Sequence, residues 1–270
     1  MTEDILRTNR DVSIIEKYHI PIYGAQRDYY RLVGSGVLIE LQSFKIFVTA
    51  NHVAEGTDSE KFSRKHLFLP TQPLISAYMK DIMTTGEDKI DLAFGLLDDE
   101  AEQKLEGYNF LHFDNLNKGT KIESDSDIYF VGYPDSWNKS SQKYKNLKQF
   151  ENKLFVYGTY SREDLYSKLS LSPNHYIACP FDKKNSVDKN EKQKTPPEPY
   201  GISGGGVWLF DKQSSEFKLA GIGIGIREEH KAVVAIRIHW LINFLMETLE
   251  KHPDYFNFSE PVLLSPEVTV

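Results

Sequence analysis

The sequence predicts an all-β fold of two antiparallel β-barrels followed by a C-terminal α-helix. Short apolar or alternating runs, separated by turn-forming residues, recur along most of the 270-residue chain, which is typical of antiparallel strands joined by turns. The spacing of the apolar residues changes to the helical period only near the end of the chain. There, large apolar residues between positions 240 and 249 share one face of a helix predicted over residues 239–251.

The first barrel lobe is expected over residues 31–120, after an N-terminal extension over residues 1–30. Its strands are predicted at residues 31–40, 44–49, 66–69 and 91–97. The first two strands form a hairpin that delivers His52 at its end, and a helical turn is predicted to start just after His52. A long loop is predicted over residues 70–90, because they contain Pro73, Gly86 and several charges.

The second barrel lobe is expected over residues 121–238. Its strands are predicted at residues 127–134, 154–160, 176–179, 207–210, 217–226 and 232–238. Residues 181–199 are rich in Lys, Asp, Glu and Pro, which predicts a solvated loop ahead of a functional turn. Residues 239–270 are assigned to the C-terminal helix and a tail.

The composition bears on several classes of function. A net charge of −7 does not suggest a nucleic-acid partner. Cys179 is the single cysteine, so no intramolecular disulfide can form, and its apolar neighbours favour a structural thiol over a catalytic one. The chain starts with polar and acidic residues and has no run suited to cross a bilayer, so we expect a cytoplasmic protein without a membrane partner. No Cys or His cluster has metal-ligand spacing, and neither a metal nor a cofactor is expected.

Ser203 lies in the turn Gly201-Ile202-Ser203-Gly204-Gly205, with the apolar strand 207–210 behind it. Glycine lets the backbone turn tightly and lets a ligand approach it closely. A hydroxyl on such a turn is exposed and lies beside free backbone N–H groups, which acyl-transfer enzymes direct at the oxyanion that develops in the reaction. The pattern therefore predicts a nucleophilic serine.

A nucleophilic serine requires a base, and a histidine base requires a carboxylate that sets its tautomer. His52 follows a predicted strand, a position that exposes its ring at a cleft. Asp91 is the preferred carboxylate because the apolar run 92–94 can bury it. Asp88 and Asp98 flank the same strand and are expected to face water.

Together these segments resemble the chymotrypsin-like (trypsin-like) serine peptidases, in particular the bacterial stand-alone members, which lack disulfides and an activation peptide. The resemblance covers roughly residues 30–245 and follows the chain order His, Asp, Ser. It is carried by Gly34-Ser35-Gly36-Val37-Leu38-Ile39, Val48-Thr49-Ala50-Asn51-His52-Val53, Asp91-Leu92-Ala93 and Gly201-Ile202-Ser203-Gly204-Gly205. It implies two six-stranded antiparallel barrels of the chymotrypsin-like type, with the site between them.

The resemblance also implies the activity, that of a serine endopeptidase acting through an acyl-enzyme. Ser203 corresponds to the nucleophile, His52 to the general base and then acid, and Asp91 to the residue that orients the histidine. The backbone N–H groups of Gly201 and Ser203 correspond to the oxyanion hole. The segment Ile224-Gly225-Ile226 corresponds to the strand edge with which a peptide substrate pairs.

The sequence departs from the family at two positions of the serine turn. Ile202 stands where members that are activated by cleavage carry an acid, which pairs with the new N-terminus. Activation by that route is therefore not expected. Gly206 stands where the family often has proline, and an extra glycine there is expected to loosen the turn.

Two other functions stay open on the sequence. Residues 201–205 also fit the Gly-x-Ser-x-Gly elbow of an α/β-hydrolase esterase, which needs a strand–turn–helix around the serine and its acid and histidine later in the chain. A peptidase-like module that binds peptides without cutting them would keep the fold and lose the chemistry. The expected partner is a protein or peptide substrate. Substrate preference and a regulatory protein partner stay open, and regulated intracellular cleavage is one role that fits.

Overall fold

The computed structural model describes most of the chain outside its termini and several connecting segments. The described residues are 11–26, 29–41, 44–55, 67–69, 75–77, 90–97, 102–103, 105, 107–119, 122, 126–138, 152–181, 197–198, 200–212 and 214–251. Their strands are β1 (His19–Gln26), β2 (Tyr29–Leu41), β3 (Phe44–Thr49), β4 (Leu67–Leu69), β5 (Ile75–Ala77), β6 (Ala93–Leu97), β7 (Leu111–His112), β8 (Asp127–Gly132), β9 (Phe155–Tyr160), β10 (Tyr176–Pro180), β11 (Gly206–Asp211), β12 (Glu216–Arg227) and β13 (Ala232–Arg237). Their α-helices are α1 (Ser13–Glu16), α2 (Asn51–Glu55), α3 (Glu163–Leu169) and α4 (Ile238–Lys251).

The strands form two sheets, and the prediction of an all-β fold with a C-terminal helix is confirmed. The first sheet has seven strands in the order β5-β4-β1-β2-β3-β6, with β7 beside β2. The second has six strands in the order β10-β13-β12-β11-β8-β9. All pairings between these strands are antiparallel except the short parallel contact between β2 and β7.

The alternation of side chains along the strands explains which faces are buried. In β6 and β9 buried and half-buried residues alternate, as expected when one face of a sheet covers the core and the other lies nearer to solvent. Strand β8, between β11 and β9, is buried along its whole length. Trp208 on β11 is fully buried in the core cluster that contains residues of both sheets.

Helix α4 joins the two sheets at one side of the molecule. Leu241 and Leu245 on its apolar face are buried in the same core cluster as Val48 of the first sheet and Ile222 of the second. The ring of Phe244 lies edge-on to Phe94 of β6, with ring centroids 5.2 Å apart. The predicted amphipathic helix therefore packs on the sheets, with its start one residue earlier than expected. None of the helices in the described ranges is long and apolar enough to cross a membrane.

The strand predictions were accurate where the apolar runs are long. They missed short or mixed runs that form strands by pairing with a neighbouring strand. Strand β3 has the predicted bounds. Strand β1 pairs with β2 and β4, so the first sheet begins before residue 31 and includes part of the predicted extension. Strand β5 interrupts the predicted loop over 70–90, most of which lies outside the described residues. Helix α3 and strand β7 were not predicted.

Candidate active site

His52 lies in helix α2, which begins two residues after β3 ends. The prediction placed the helical turn just after His52, whereas the helix includes it. The backbone N–H of His52 donates to Asp91 Oδ1 at 2.9 Å, and the ring Nδ1 lies 2.7 Å from Asp91 Oδ2. Both oxygens of the Asp91 carboxylate thus contact the same residue, His52. With Nδ1–H donating to Asp91, the ring Nε2 carries a lone pair and can accept a proton.

Asp91 lies two residues ahead of β6, not within the strand as predicted. Its side chain is 29% exposed and that of His52 is 38% exposed. Asp91 is therefore only partly buried: Leu92 and Ala93 are buried, but they leave part of the Asp91 side chain exposed. The alternative acids Asp88 and Asp98 lie outside the described residues.

The serine turn is pressed against both sheets, and this explains its glycines. Gly201 and Gly204 have φ values of +91° and +85°, a conformation that side chains with a Cβ rarely adopt. A Cβ on Gly204 would overlap the carbonyl oxygen of Ser35 and the hydroxyl of Thr49, both in the first sheet. A Cβ on Gly205 would overlap the carbonyl oxygen of Val131 on β8 of the second sheet.

Ser35 on β2 clamps this turn from the first sheet. Its backbone N–H donates to the carbonyl oxygen of Ser203 at 2.8 Å, and its hydroxyl donates to the carbonyl oxygen of Gly201 at 2.7 Å. The same hydroxyl accepts from the N–H of Tyr133 at 2.8 Å, and the carbonyl oxygen of Ser35 accepts from the Thr49 hydroxyl at 2.8 Å. Ser35 thereby fixes the turn on both sides of the nucleophile candidate. Sequence reasoning gave it no role, although its two flanking glycines signal a close backbone approach.

The structure brings the Ser203 turn next to His52 through the residues that flank the histidine. Gly204 lies against Thr49, three residues before His52, and Gly34 lies between Val53 and the carbonyl oxygen of Ser203. A Cβ on Gly34 would lie 3.1 Å from that oxygen. The Ser203 hydroxyl itself makes no hydrogen bond to any residue that the structure describes, His52 included.

The peptide group between Tyr200 and Gly201, which carries one of the predicted oxyanion-hole donors, is held by the backbone of Asp135. The carbonyl oxygen of Tyr200 accepts a hydrogen bond of 2.6 Å from the backbone N–H of Asp135. Because a trans peptide is planar, the N–H of Gly201 points the opposite way, away from Asp135. Neither that N–H nor the N–H of Ser203 donates to another described residue. Both predicted oxyanion-hole donors therefore lack a hydrogen-bond acceptor among the described residues.

The predicted substrate edge, residues 224–226, lies on β12 beyond the end of its pairing with β11. That pairing stops at Gly206 opposite Ile222, while β13 continues alongside β12 as far as Arg227. On the β11 side, no described strand pairs with residues 224–226. The ladder to β13 shifts register between Gly223 and Gly225, and Ile224 packs against core residues of the first sheet. A Cβ on Gly225 would lie 3.9 Å from Ser203 Oγ.

His19 binds the start of strand β11, directly after the serine turn. The sequence analysis assigned no role to His19. It is completely buried, and its Nδ1 lies 2.8 Å from the carbonyl oxygen of Ile15. Its Nε2 accepts from the N–H of Gly206 and from Trp208 Nε1, both at 3.2 Å. Burial lowers the pKa of His19 to about 4. The N–H of Gly206 is thus bonded, and a Cβ at this position would lie 2.6 Å from Trp208 Nε1, so the packing favours glycine here. The expected loosening of the turn stays a prediction.

The remaining reactive side chains do not form a second centre in the described ranges. Cys179 is a free, fully buried thiol, and burial raises its pKa, which keeps it protonated and unreactive. Within those ranges no three His, Cys, Asp or Glu side chains cluster in a way that would hold a metal ion.

The elements around Ser203 test the α/β-hydrolase alternative for the serine turn. Strand β11 follows the serine turn directly, and the sheet around it is antiparallel, so the α/β-hydrolase alternative is wrong. No protein-family model matches the chain, and no curated protein matches it either.

Proposed function

We propose that this protein is a serine endopeptidase with a chymotrypsin-like pair of β lobes, cleaving peptide bonds through an acyl-enzyme. The observation that carries the proposal is the double hydrogen bond between His52 and Asp91, located beside a glycine-framed serine turn. A histidine held at both its backbone and its ring by one carboxylate is pre-organised as a base.

The proposed reaction begins when Ser203 Oγ attacks the carbonyl carbon of the scissile bond. Its proton passes to Nε2 of His52, because Nδ1 already donates to Asp91. Asp91 stabilises the imidazolium that forms, and His52 then gives the proton to the leaving amine. A water molecule, deprotonated by the same Nε2, releases the acyl group from Ser203. In this proposal the hydroxyl of Ser203, which has no hydrogen-bond partner among the described residues, turns toward Nε2 of His52 when substrate binds.

The negative charge of the tetrahedral intermediate falls on the carbonyl oxygen of the substrate. In this proposal the N–H groups of Gly201 and Ser203 receive it, and the bond from Asp135 to Tyr200 keeps the first of them aimed. Ser35 holds the carbonyl oxygens of Gly201 and Ser203, so neither can turn into the hole. Donors that are already oriented stabilise the transition state most strongly, because they need no reorganisation during the reaction.

A second candidate is a peptide-binding module that does not cut. It is favoured by the missing hydrogen bond between Ser203 and His52 and by the part-exposed Asp91 carboxylate. The same open β12 edge and apolar residues would serve binding alone. The two candidates differ in one measurable property, the reactivity of the Ser203 hydroxyl.

A fluorophosphonate probe, located by mass spectrometry, tests that property. We expect labelling on Ser203 in the wild type, none in Ser203→Ala, and labelling in Ser214→Ala, the control at an exposed serine. Peptide cleavage by Ser203→Ala should fall by about 10⁴ or more in kcat, because triad members act as a unit. Cleavage at the wild-type rate by a folded Ser203→Ala protein would refute the proposal. Peptide binding without labelling or cleavage would favour the binding module.

A further inference from the structure

The side chain of Asn138 links the two ends of the segment that connects β8 to β9. Its Nδ2 donates to the carbonyl oxygen of Pro134 at 2.8 Å and to that of Lys153 at 3.0 Å. Its Oδ1 accepts from the backbone N–H of Lys153 at 2.7 Å. The Asn138 side chain is buried, and both its nitrogen and its oxygen are satisfied by backbone groups. One side chain thereby fixes two backbone positions that lie far apart in the chain.

Asn138 also ends a turn whose first residue contacts the serine turn. The residues Asp135–Trp137 form a short 3₁₀-helix, which Pro134 precedes and Asn138 follows. The backbone N–H of Asn138 donates to the carbonyl oxygen of Asp135 at 3.0 Å. The N–H of Asp135 in turn donates to the carbonyl oxygen of Tyr200 at 2.6 Å. Asn138 therefore holds the turn from which the bond to the serine turn is made.

Both ends of the segment are anchored on the first sheet. At its start, the N–H of Tyr133 donates to the hydroxyl of Ser35 at 2.8 Å. At its end, the hydroxyl of Tyr23 donates to Oδ1 of Asn152. The amide of Asn138 joins these two anchored ends to each other, so the turn between them is fixed relative to the first sheet as well as to β8.

We propose that Asn138 is a positioning residue for catalysis: it holds the turn 134–138 so that Asp135 keeps the N–H of Gly201 aimed at the oxyanion. The inference rests on the proposed function, because it needs that N–H to be an oxyanion donor. A peptide group is planar, so any rotation of the Tyr200 carbonyl group turns the Gly201 N–H with it. A donor that must be aimed anew during the reaction stabilises the transition state less.

Asn138→Ala tests the proposal. We expect kcat and the rate of fluorophosphonate labelling at Ser203 to fall by about tenfold, since losing one oxyanion donor altogether costs about 10² to 10³ and this variant only loosens it. KM should stay unchanged, because the donor acts on the transition state. Affinity for a peptide aldehyde, whose hemiacetal with Ser203 places an oxygen in the oxyanion hole, should fall by a similar factor. Affinity for the same peptide ending in an alcohol should not.

Thr159→Val is the control for a general loss of stability. It removes a buried hydroxyl of β9 that donates to the carbonyl oxygen of Pro180 at 2.8 Å. This variant should lower the free energy of unfolding and leave kcat and the labelling rate unchanged. Equal losses of kcat in Thr159→Val and Asn138→Ala would overturn the positioning role.

Position 135 provides a second test that does not require Asn138→Ala to fold. Pro134 has φ −73° and ψ +133°, the conformation that a residue before proline prefers, and position 135 is the first of its helix. Asp135→Pro therefore fits the local backbone but removes the N–H that bonds Tyr200. Asp135→Ala keeps this N–H and loses only the ion pair with the exposed Arg31, so it is the reference. We expect kcat to be at least about tenfold lower in Asp135→Pro than in Asp135→Ala.

Failure of this inference is distinguishable from failure of the proposed function. If the wild type is labelled at Ser203 and cleaves peptides, an unchanged kcat in folded Asn138→Ala overturns the role of Asn138 alone. Equal kcat values in the two Asp135 variants also overturn it, and they decide by themselves if Asn138→Ala does not fold. A wild type that shows neither labelling nor cleavage overturns the proposed function, and the role of Asn138 with it.

Discussion

Acidification should destabilise this protein through His19. The side chain is completely buried, and its Nε2 accepts hydrogen bonds from Gly206 and Trp208. Protonation would put a third N–H donor where the N–H groups of Gly206 and Trp208 already point, at a side chain that is fully buried. The folded state therefore strongly prefers the neutral ring.

The size of the effect follows from the two pKa values of His19. Burial lowers its pKa from the ordinary 6.5 to about 4 in the folded state. Between these values the unfolded chain binds more protons than the folded one, so the free energy of unfolding rises with pH. The contribution of neutral His19 to the free energy of unfolding is fully present above pH 6.5 and is lost as the pH falls through 4. At about 1.4 kcal/mol per pKa unit it amounts to about 3 kcal/mol in all, of which about 2 kcal/mol is lost by pH 5.

Urea unfolding at a series of pH values between 7.5 and 4.5 measures this contribution. His19→Gln keeps a neutral acceptor and removes the titrating ring, so its stability should fall by about 2 kcal/mol less than that of the wild type between pH 7.5 and 5. His112→Gln, at an exposed position, is the matched control for removal of a histidine. Identical pH dependence in wild type and His19→Gln would refute the reasoning, as would an NMR titration of folded His19 near pH 6.5.

Two further predictions concern the candidate site. Asp91→Asn should lower kcat by about 10⁴ near neutral pH, as happens in serine peptidases whose triad aspartate is replaced, with partial recovery at high pH where hydroxide can deprotonate the serine. Asp88→Asn and Asp98→Asn should be nearly silent in the same rate-against-pH measurement, and the opposite pattern would show that the third triad member is wrong. Ser35→Ala should lower kcat and the labelling rate of Ser203 by about tenfold with little change in KM, because the Gly201 carbonyl loses its hydrogen bond. Ser136→Ala, whose buried hydroxyl has no hydrogen-bond partner in the described residues, is the control, and equal losses in both variants would contradict a positioning role for Ser35.

The sequence by itself determined the kind of fold and the identity of the candidate residues. Alternating and apolar runs predict strands because one face of a sheet must cover a core, and this placed β3 at its observed bounds. The helical period near the C-terminus predicted α4 for the same reason. The glycines around Ser203 predicted a tight turn, since the backbone conformation at Gly201 and Gly204 nearly requires glycine.

The tertiary structure alone decided which of these residues meet and what supports them. The bonds from His52 to Asp91 join positions 39 residues apart, and the bonds from Ser35 join β2 to a turn more than 160 residues later. His19 looked ordinary in the sequence because its role depends on Gly206 and Trp208 of the other sheet. Local patterns record which face of an element is buried. Contacts between the two sheets depend on strand register and on packing over the whole chain. The periodicity of the residues around a side chain therefore does not reveal which distant residues it contacts.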